Sequence, residues 1–281
     1  MNPALSVVIP TVGRPGLLAG ALAALAECDP PPAEVVVVDQ SATADSEPVV
    51  AAAALPLARV VRCAGRGPGL ALNVGLRAAG NSLVGVVDDD CVVAPEWVAA
   101  TVAAMSDEPT GIVCGQVLPE GGDARAVPST IVLDQPRDYT GQLSCSDLYK
   151  GNMACPRDAV LALGGFDESL VCAEDCDFCY RWLRAGQRLR HDPRMVVIHR
   201  AWRSPEELER LYVRYYIGQG MFYAKHLRTG DPHVLRFLAR DLHGGLRAAA
   251  AGRLRGVPRW ADQRRGALGG LPRGLARGLF R

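Results

Sequence analysis

The first ninety residues alternate between short apolar runs and longer segments in which apolar residues recur at helical spacing. Four runs are rich in Val and Ile: 6–10, 34–39, 58–63 and 82–88. Continuous apolar sequence of this kind is typical of strands that are covered on both faces, as in a parallel sheet. The segments between the runs read as helices: 15–28, 46–55 and 69–80. This rhythm predicts an α/β fold with a mainly parallel sheet flanked by helices.

The rhythm weakens after about residue 115. A helix is predicted over 95–105, because Pro95 suits a first turn. Residues 118–142 are polar and interrupted by Gly and Pro, and we interpret them as long loops or an irregular ribbon. Loops of this kind often cover the site of an α/β enzyme.

The remaining pattern is mostly helical. We predict a helix over 172–186 that ends at Gly186, and a short strand over 194–199. Ser204 followed by proline is a strong helix start, so a helical tail is expected beyond it. We therefore divide the chain into an α/β domain, 1–203, and a mostly helical C-terminal extension, 204–281.

Composition supports a globular chain with reduced thiols. The chain has 281 residues, of which 49% are hydrophobic. The apolar runs are too short to cross a bilayer as a helix, and the first residues do not resemble a signal peptide. The odd number of nine cysteines therefore predicts a cytoplasmic protein. Cys172, Cys176 and Cys179 fall on one helical face, where we expect core residues rather than a zinc site, since no fourth ligand lies nearby.

Charge is distributed unevenly along the chain. Residues 1–198 contain 14 Lys and Arg against 24 Asp and Glu, whereas residues 199–281 contain 17 against 6. The acidic part is where we expect a cation. The basic part suits a solvated helical surface, an anionic acceptor or a peripheral membrane contact. We expect no nucleic-acid partner.

Polar residues follow three of the predicted strands. Thr11, Asp39 and Asp88 each stand at or just beyond a carboxyl end, where ligands of parallel sheets bind. Asp88 to Asp90 form an acidic run that would repel itself without a positive partner. Hard cations bind carboxylates and then accept phosphate oxygens, so the run indicates a divalent-cation site, with an acidic turn as the alternative.

A dinucleotide-binding fold is the first rival interpretation. Its fingerprint needs glycines at G-x-G-x-x-G spacing after a strand. Gly65 and Gly67 fit, but Leu70 occupies the last glycine position, and the following strand ends in the acidic run. We therefore set this interpretation aside.

Several motifs, in order, resemble those of family 2 glycosyltransferases, which have the Rossmann-like GT-A fold. They are VVIPTVGR, VVVVDQSATAD, GPGLALNVGL, VVDDDC, GGFDESL, EDCDFCYR and VVIHR. Leu72 stands where the family frequently has Arg. The resemblance covers about residues 4–203 and implies an inverting enzyme that uses a nucleotide-sugar donor.

The resemblance also implies roles for individual residues. Those expected to contact the donor are Pro10, Thr11, Arg14, Asp39, Gly69, Asn73, Asp88 and Asp89. Among them, Asp39 would accept a hydrogen bond from a pyrimidine ring N–H. Mg²⁺ or Mn²⁺ would be held by Asp88, Asp90 and His199, and Asn152 would line the sugar pocket. A strand-end histidine and a turn asparagine are the plain alternatives for the last two.

The helix near residue 174 is expected to supply the general base. Asp175 lies in its first turn, where the helix dipole favours an ionised carboxylate. Glu174, also expected near the acceptor, is the second choice. Asp177 and Arg181 are four residues apart and are expected to form a structural ion pair. The buried face is predicted from Cys172, Cys176, Cys179 and Leu183.

The sequence thus predicts a metal-dependent, inverting hexosyltransferase with Asp175 as base. The alternatives are a sugar-phosphate nucleotidyltransferase and a catalytically degenerate GT-A binding subunit. The acceptor is expected to be a hydroxyl of a natural product, a saccharide or a lipid-linked molecule. The helix after Ser204 could line the acceptor cleft, form a homodimer contact or lie on a membrane.

Overall fold

The computed structural model describes residues 4–107, 111–139, 151–256, 258 and 261–280. Within these residues, nine strands form one sheet. The strands are β1 Leu5–Thr11, β2 Glu34–Asp39, β3 Ala58–Arg62, β4 Leu83–Val87, β5 Cys91–Val93, β6 Ile112–Pro119, β7 Arg137–Tyr139, β8 Asn152–Pro156 and β9 Leu189–His199. The helices are α1 Pro15–Ala26, α2 Ser46–Ala52, α3 Pro68–Ala78, α4 Trp97–Asp107, α5 Arg157–Ala162, α6 Glu174–Arg184, α7 Pro205–Arg228, α8 Val234–Arg255 and α9 Ala267–Leu279.

The strand order is β3-β2-β1-β4-β8-β6-β9-β5, with β7 beside β9. The first four strands are parallel, as predicted, so their carboxyl ends meet at one edge of the sheet. Beyond β4 the sheet is mixed, since β8 runs antiparallel to both β4 and β6. In the parallel pair of β1 and β2, Thr11 lies directly opposite Asp39.

The valine-rich strands divide their side chains between two cores. Val7 and Ile9 of β1 face a core with α1 and α4, whereas Val8 faces a second core with α3 and α6. Each apolar run therefore buries both of its faces, which explains why it does not alternate with polar residues. The sequence pattern and the layered fold agree here.

Two predicted segments differ from the structure. The strand predicted over 194–199 is longer, because β9 begins at Leu189 and its residues 189–191 pair with β6 and β7. The first half of β9 contains charged residues and a proline, so its sequence lacks the apolar pattern that predicts a strand. In the segment predicted to be irregular, β7 is a regular strand, and residues 140–142 lie outside the described part of the chain.

The helices after residue 203 pack on the α/β unit. Ser204 caps α7 through a capping box with Glu207, as its sequence predicts. Glycines of α9 let it approach α7 closely, and a Cβ at Gly274 would overlap the carbonyl oxygen of Ile217. A third core joins this extension to α6 through Tyr180 and Phe222. Among the described helices, none has the length and apolar character needed to span a membrane.

Helix α6 lies between the sheet and α7, so it is buried on two sides. The predicted buried face is wrong in part: Cys172 precedes the helix and Cys176 is half-buried. Asp177 is fully buried instead, and its predicted pairing with Arg181 is confirmed at 2.8 Å. Lys225 and His226 of α7 also contact Asp177, at 2.7 and 2.9 Å. The helix therefore buries a charged residue, which an apolar pattern cannot indicate.

Asp177 should make the stability of the fold pH-dependent. Burial disfavours its charge, but His226, Lys225 and Arg181 outweigh burial and hold the pKa of Asp177 well below its usual range. Its stabilising contribution should be complete above the unfolded-state pKa of about 3.9 and be lost as the pH falls through the folded-state pKa.

We therefore expect Asp177→Asn to lower the free energy of unfolding near neutral pH by about 3 kcal/mol. The exposed Asp158, paired only with Arg157 in the described structure, gives the control Asp158→Asn, which should have little effect. Urea denaturation across pH tests both variants. A difference between wild type and Asp177→Asn that does not shrink below about pH 4 would contradict this account.

Candidate functional site

A cavity of about 530 Å³ opens at the carboxyl ends of β1 and β4. Its walls come from the strand ends, from the segment before α3, and from the first turns of α7 with the residues before it. Its lining residues include Pro10, Thr11, Arg14, Gln40, Arg66, Asp88, Asp90, His199, Trp202, Arg203, Arg214 and Tyr215. The cavity thus combines two acidic groups with several arginines.

Asp89 is the fully buried member of the acidic run. Its carboxylate accepts hydrogen bonds from Thr11 Oγ1 at 2.6 Å and from Arg14 Nε at 3.1 Å. Arg14 Nη2 lies 2.7 Å from the other oxygen. Burial raises the pKa of Asp89 to about 7; Arg14 opposes this effect and Asp90 adds to it. Asp89 therefore positions Thr11 and Arg14, and the structure gives it no place on the cavity wall.

Asp90 has several donors around one oxygen. Its Oδ2 lies 2.8 Å from Arg203 Nη2 and 3.0 Å from Trp202 Nε1. Arg14 Nη1 and His199 Nε2 both lie 3.6 Å from the same atom. Burial acts against the charge of Asp90, but His199, Arg203 and Arg14 outweigh it and hold the pKa of this carboxyl far below its usual range. Asp90 is therefore an ionised carboxylate inside the protein.

His199 is oriented toward Asp90 by its other ring nitrogen. Nδ1 lies 3.0 Å from the carbonyl oxygen of Ser129, which can only accept, so Nδ1 carries the proton. Nε2 then faces Asp90 Oδ2. In the neutral ring, two acceptors face each other, and only a proton or a metal ion between them is stabilising. A backbone carbonyl that accepts a hydrogen bond from one ring nitrogen is typical of histidines that bind a metal through the other.

Asp90, Cys91 and His199 place one ligand atom each within 4.8 Å of the others. Cys91 lies close to His199 because β5 pairs with β9 and the two residues are directly opposite each other. The sequence analysis missed this thiol, which lies in a strand that follows the acidic run. Carboxylate oxygens suit Mg²⁺ or Mn²⁺, imidazole suits transition-metal ions, and a thiol favours neither Mg²⁺ nor Mn²⁺. The residues therefore fit a divalent cation held by Asp90 and His199, with Asp88 on the same cavity wall.

A second cavity, of about 440 Å³, adjoins the first and shares Pro68 and Tyr215 with it. Glu174 and Asp175 line it at the start of α6. Asp175 is half-buried, and its Oδ1 accepts a hydrogen bond from the Cys176 amide at 2.8 Å. Opposite walls come from residues 124–131, from Tyr212 and Gln219 of α7, and from residues 261–264.

Two residues predicted to contact ligand, Asn73 and Asn152, make their hydrogen bonds within the protein. The amide of Asn73 joins α3 to the turn before α6: it donates to the Phe166 carbonyl and Glu168 and accepts from the Phe166 amide, at 2.8 to 2.9 Å. Asn152 is buried and bonds Trp97, Gln116 and Met195. Neither residue lines the two cavities, because all their polar atoms face the protein interior.

Gly69 and Asp39 are likewise absent from the linings of the two cavities. A Cβ at Gly69 would lie 2.8 Å from the carbonyl oxygen of Asp167, so this glycine lets α3 pack closely and does not line either cavity. Asp39 is fully buried, and its carboxylate contacts Arg62 at 2.5 Å and the Ser41 amide at 2.7 Å. Its neighbour Gln40 lines the cavity instead.

A family model described as glycosyl transferase family 2 matches residues 6–164, more than half of the chain. The chain belongs to this family. The matched range contains β1, the acidic run, β8 and α5. His199, Arg203 and Asp175 lie beyond it, so their part in the site rests on the geometry above.

Individual relatives agree with the family and the fold. The chain is 29% identical over 141 residues to a pre-mycofactocin glycosyltransferase of Mycobacterium tuberculosis, covering 48% of this chain but only 30% of that protein. The structure of the present chain is similar to that of the mannosyltransferase PcManGT of Pyrobaculum calidifontis in complex with GDP-Man and Mn²⁺. The TM-score is 0.69 and the identity 20%, over 98% of this chain and 88% of PcManGT. The structure of the present chain is also similar to S. aureus TarS in complex with UDP-GlcNAc, with a TM-score of 0.58 and 19% identity over 76% and 66% of the two chains.

The revised role of Asn73 can be tested directly. Asn73→Ala removes three hydrogen bonds, two of them buried, and should lower the free energy of unfolding by about 2 to 3 kcal/mol. Because Asn73 does not line the cavity at the strand ends, the Kd for a nucleoside diphosphate should stay unchanged. Denaturation and isothermal titration calorimetry measure the two effects. Weakened nucleotide binding with unchanged stability would restore the original assignment to the donor site.

Proposed function

We propose that this family 2 chain is a metal-dependent, inverting glycosyltransferase that uses a nucleoside-diphosphate sugar. One observation carries the proposal: the cavity with Asp88, Asp90 and His199 adjoins the cavity with Asp175 and shares a wall with it. A donor in the first cavity and an acceptor in the second would meet at the shared wall. The complexes of PcManGT with GDP-Man and Mn²⁺ and of TarS with UDP-GlcNAc support a donor of this class.

The donor cavity suits a diphosphate electrostatically. Arg14, Arg66, Arg203 and Arg214 line it, so anionic oxygens would find cationic donors on several sides. Pro10 and Thr11 are proposed to contact the base, which we propose to be a pyrimidine. A divalent cation held by Asp90 and His199, with Asp88 nearby, would act as a Lewis acid toward the leaving diphosphate.

Asp175 is proposed to act as the general base. The acceptor hydroxyl gives its proton to the Asp175 carboxylate and attacks the anomeric carbon from the face opposite the leaving group. One displacement of this kind inverts the anomeric centre. Arg14 and Arg203 stabilise the negative charge that moves onto the leaving nucleoside diphosphate, and the walls of both cavities supply positioning.

A non-catalytic nucleotide-sugar-binding subunit is the second candidate. The observation that favours it is the ion pair of Asp90 with Arg203, which neutralises a proposed metal ligand inside the protein. Such a subunit would bind nucleotide without turnover. Sugar-phosphate nucleotidyl transfer has no comparable support, since family 2 membership and the position of Asp175 both favour sugar transfer.

The acceptor cavity sets limits on the partner. Tyrosines, Gln219, Asp262 and Arg264 line it beside Asp175, which suits a polar hydroxyl compound. A natural product, a saccharide or a lipid-linked acceptor stays a proposal. The peripheral membrane contact, the homodimer and the cytoplasmic location stay predictions as well.

Asp175→Asn should lower the rate of nucleoside diphosphate release from a nucleotide sugar by about a hundredfold to ten-thousandfold, because an amide cannot accept the hydroxyl proton. Binding of the nucleoside diphosphate should be retained. Release can be followed with UDP- and GDP-sugars, using water and simple glycosides as acceptors. Glu174→Gln is the matched comparison. If it lowers the rate more than Asp175→Asn does, the base has to be reassigned.

Asp90→Asn should weaken Mn²⁺-dependent binding of the nucleoside diphosphate by about tenfold or more, since it removes a charged metal ligand. Asp123→Asn changes an exposed carboxylate that lines neither cavity, so it controls for the loss of one negative charge. Titration calorimetry with and without Mn²⁺ measures the effect. Wild-type turnover that persists in excess chelator would contradict the metal dependence.

A further inference from the structure

Arg203 lies in the short segment between β9 and α7 and reaches back to the acidic run. Its Nη2 is 2.8 Å from Asp90 Oδ2, and only 14% of its side chain is exposed. Its guanidinium stands 4.2 Å from the centre of the Trp202 ring, and the Arg14 guanidinium stands 5.4 Å from the same ring. The contact between Arg203 and Asp90 is therefore supported on one side by an aromatic ring.

The oxygen that Arg203 contacts is the one that faces His199. Asp90 Oδ2 is 3.6 Å from His199 Nε2, which is the geometry that fits a cation between them. Trp202 Nε1 adds a hydrogen bond to this oxygen at 3.0 Å. A divalent ion on Oδ2 would stand beside the guanidinium at close range, and like charges repel strongly at low dielectric. Arg203 and the cation therefore compete for one oxygen.

Arg14 is poorly suited to take over the place of Arg203. It lies 3.6 Å from Asp90, but its Nε and Nη2 are engaged with the buried Asp89. Moving it would leave the Asp89 carboxylate buried with one donor fewer, which is costly. The competition at Asp90 is therefore mainly a property of Arg203.

Arg203 also has a hydrogen-bond donor, Nη1, that could bind an anion. It lines the donor cavity, and its Nη1 is buried without a hydrogen-bond acceptor among the described residues. A buried donor with no acceptor is rare in a folded protein. Diphosphate oxygens in this cavity would supply such an acceptor and a second negative partner.

We propose that Arg203 closes the cation site in the donor-free protein and that the donor diphosphate draws it away from Asp90. The cation and the diphosphate then bind cooperatively, each making the site available to the other. This inference rests on the proposed function, since it places the donor in the cavity at the strand ends. It assigns Arg203 a positioning role toward the cation, distinct from the ligands themselves.

The test measures the coupling between two ligands, with Mn²⁺ and UDP or GDP as probes. Wild-type protein should bind Mn²⁺ weakly alone and about tenfold more tightly with the nucleoside diphosphate present, and the reverse should hold by the same factor. Arg203→Gln should bind Mn²⁺ alone about tenfold more tightly than wild type and lose most of the coupling. Its affinity for the nucleoside diphosphate without metal should fall.

Two further variants separate this mechanism from a general change of charge or fold. Arg210→Gln removes one positive charge from α7 at a residue that does not line the donor cavity, and it should behave like wild type. Arg203→Lys keeps the charge and should retain part of the coupling. Calorimetry and Mn²⁺ electron paramagnetic resonance give the affinities, and thermal denaturation reports folding.

Unchanged or weaker Mn²⁺ binding in Arg203→Gln, with the coupling intact, would overturn the inference while leaving the proposed function in place. Equal Mn²⁺ affinity of the wild type with and without nucleoside diphosphate would do the same. If no variant and no wild-type sample binds Mn²⁺ under either condition, the proposed metal dependence fails and the inference fails with it.

Discussion

Three consecutive carboxylates at the end of a buried strand repel one another unless cations meet them. In this chain the cations come from two distant places, Arg14 before α1 and Arg203 before α7. The ion pairs with the acidic run therefore connect the segment before α1 to the segment before α7. Arg14 and Arg203 also form part of the wall of the cavity at the strand ends.

The extension contributes to the site as well as to the fold. Helix α6 starts with the proposed base, and its far side packs on α7 through Asp177, Tyr180 and Phe222. Tyr212 and residues 261–264 of the extension wall the cavity that contains Asp175. Tyr215 of α7 lines both cavities, so changes in the extension can alter either one.

The early strands could be predicted because their chemistry is local. Val runs such as 34–39 must bury both faces, and the structure divides them between two cores. The carboxyl ends of β1 and β4 could also be placed together, because neighbouring parallel strands end at the same edge of the sheet. Thr11 and Asp88 accordingly lie on one cavity wall.

What could not be predicted depends on partners from distant segments. Asn73 and Asn152 have the residue types of ligand contacts, but only the fold shows that backbone and side-chain groups of the protein bond their amide atoms. Cys91 joins His199 through the antiparallel register of β5 and β9, which no motif encodes. Arg203 had a weak signal, because Trp202 and Arg203 stand shortly after His199 in the sequence. Its contact with Asp90 emerges only when β9 lies beside β5.

The central claim is that the strand-end acids and His199 hold a cation and a diphosphate next to Asp175. The most direct measurement is a crystal structure with Mn²⁺ and a nucleoside diphosphate, in which anomalous scattering locates the metal. The account predicts a manganese peak coordinated by Asp90 and His199, with the diphosphate in the cavity lined by Arg14 and its sugar end toward Asp175. A metal or diphosphate bound elsewhere, with Asp90 still paired to Arg203, would contradict it.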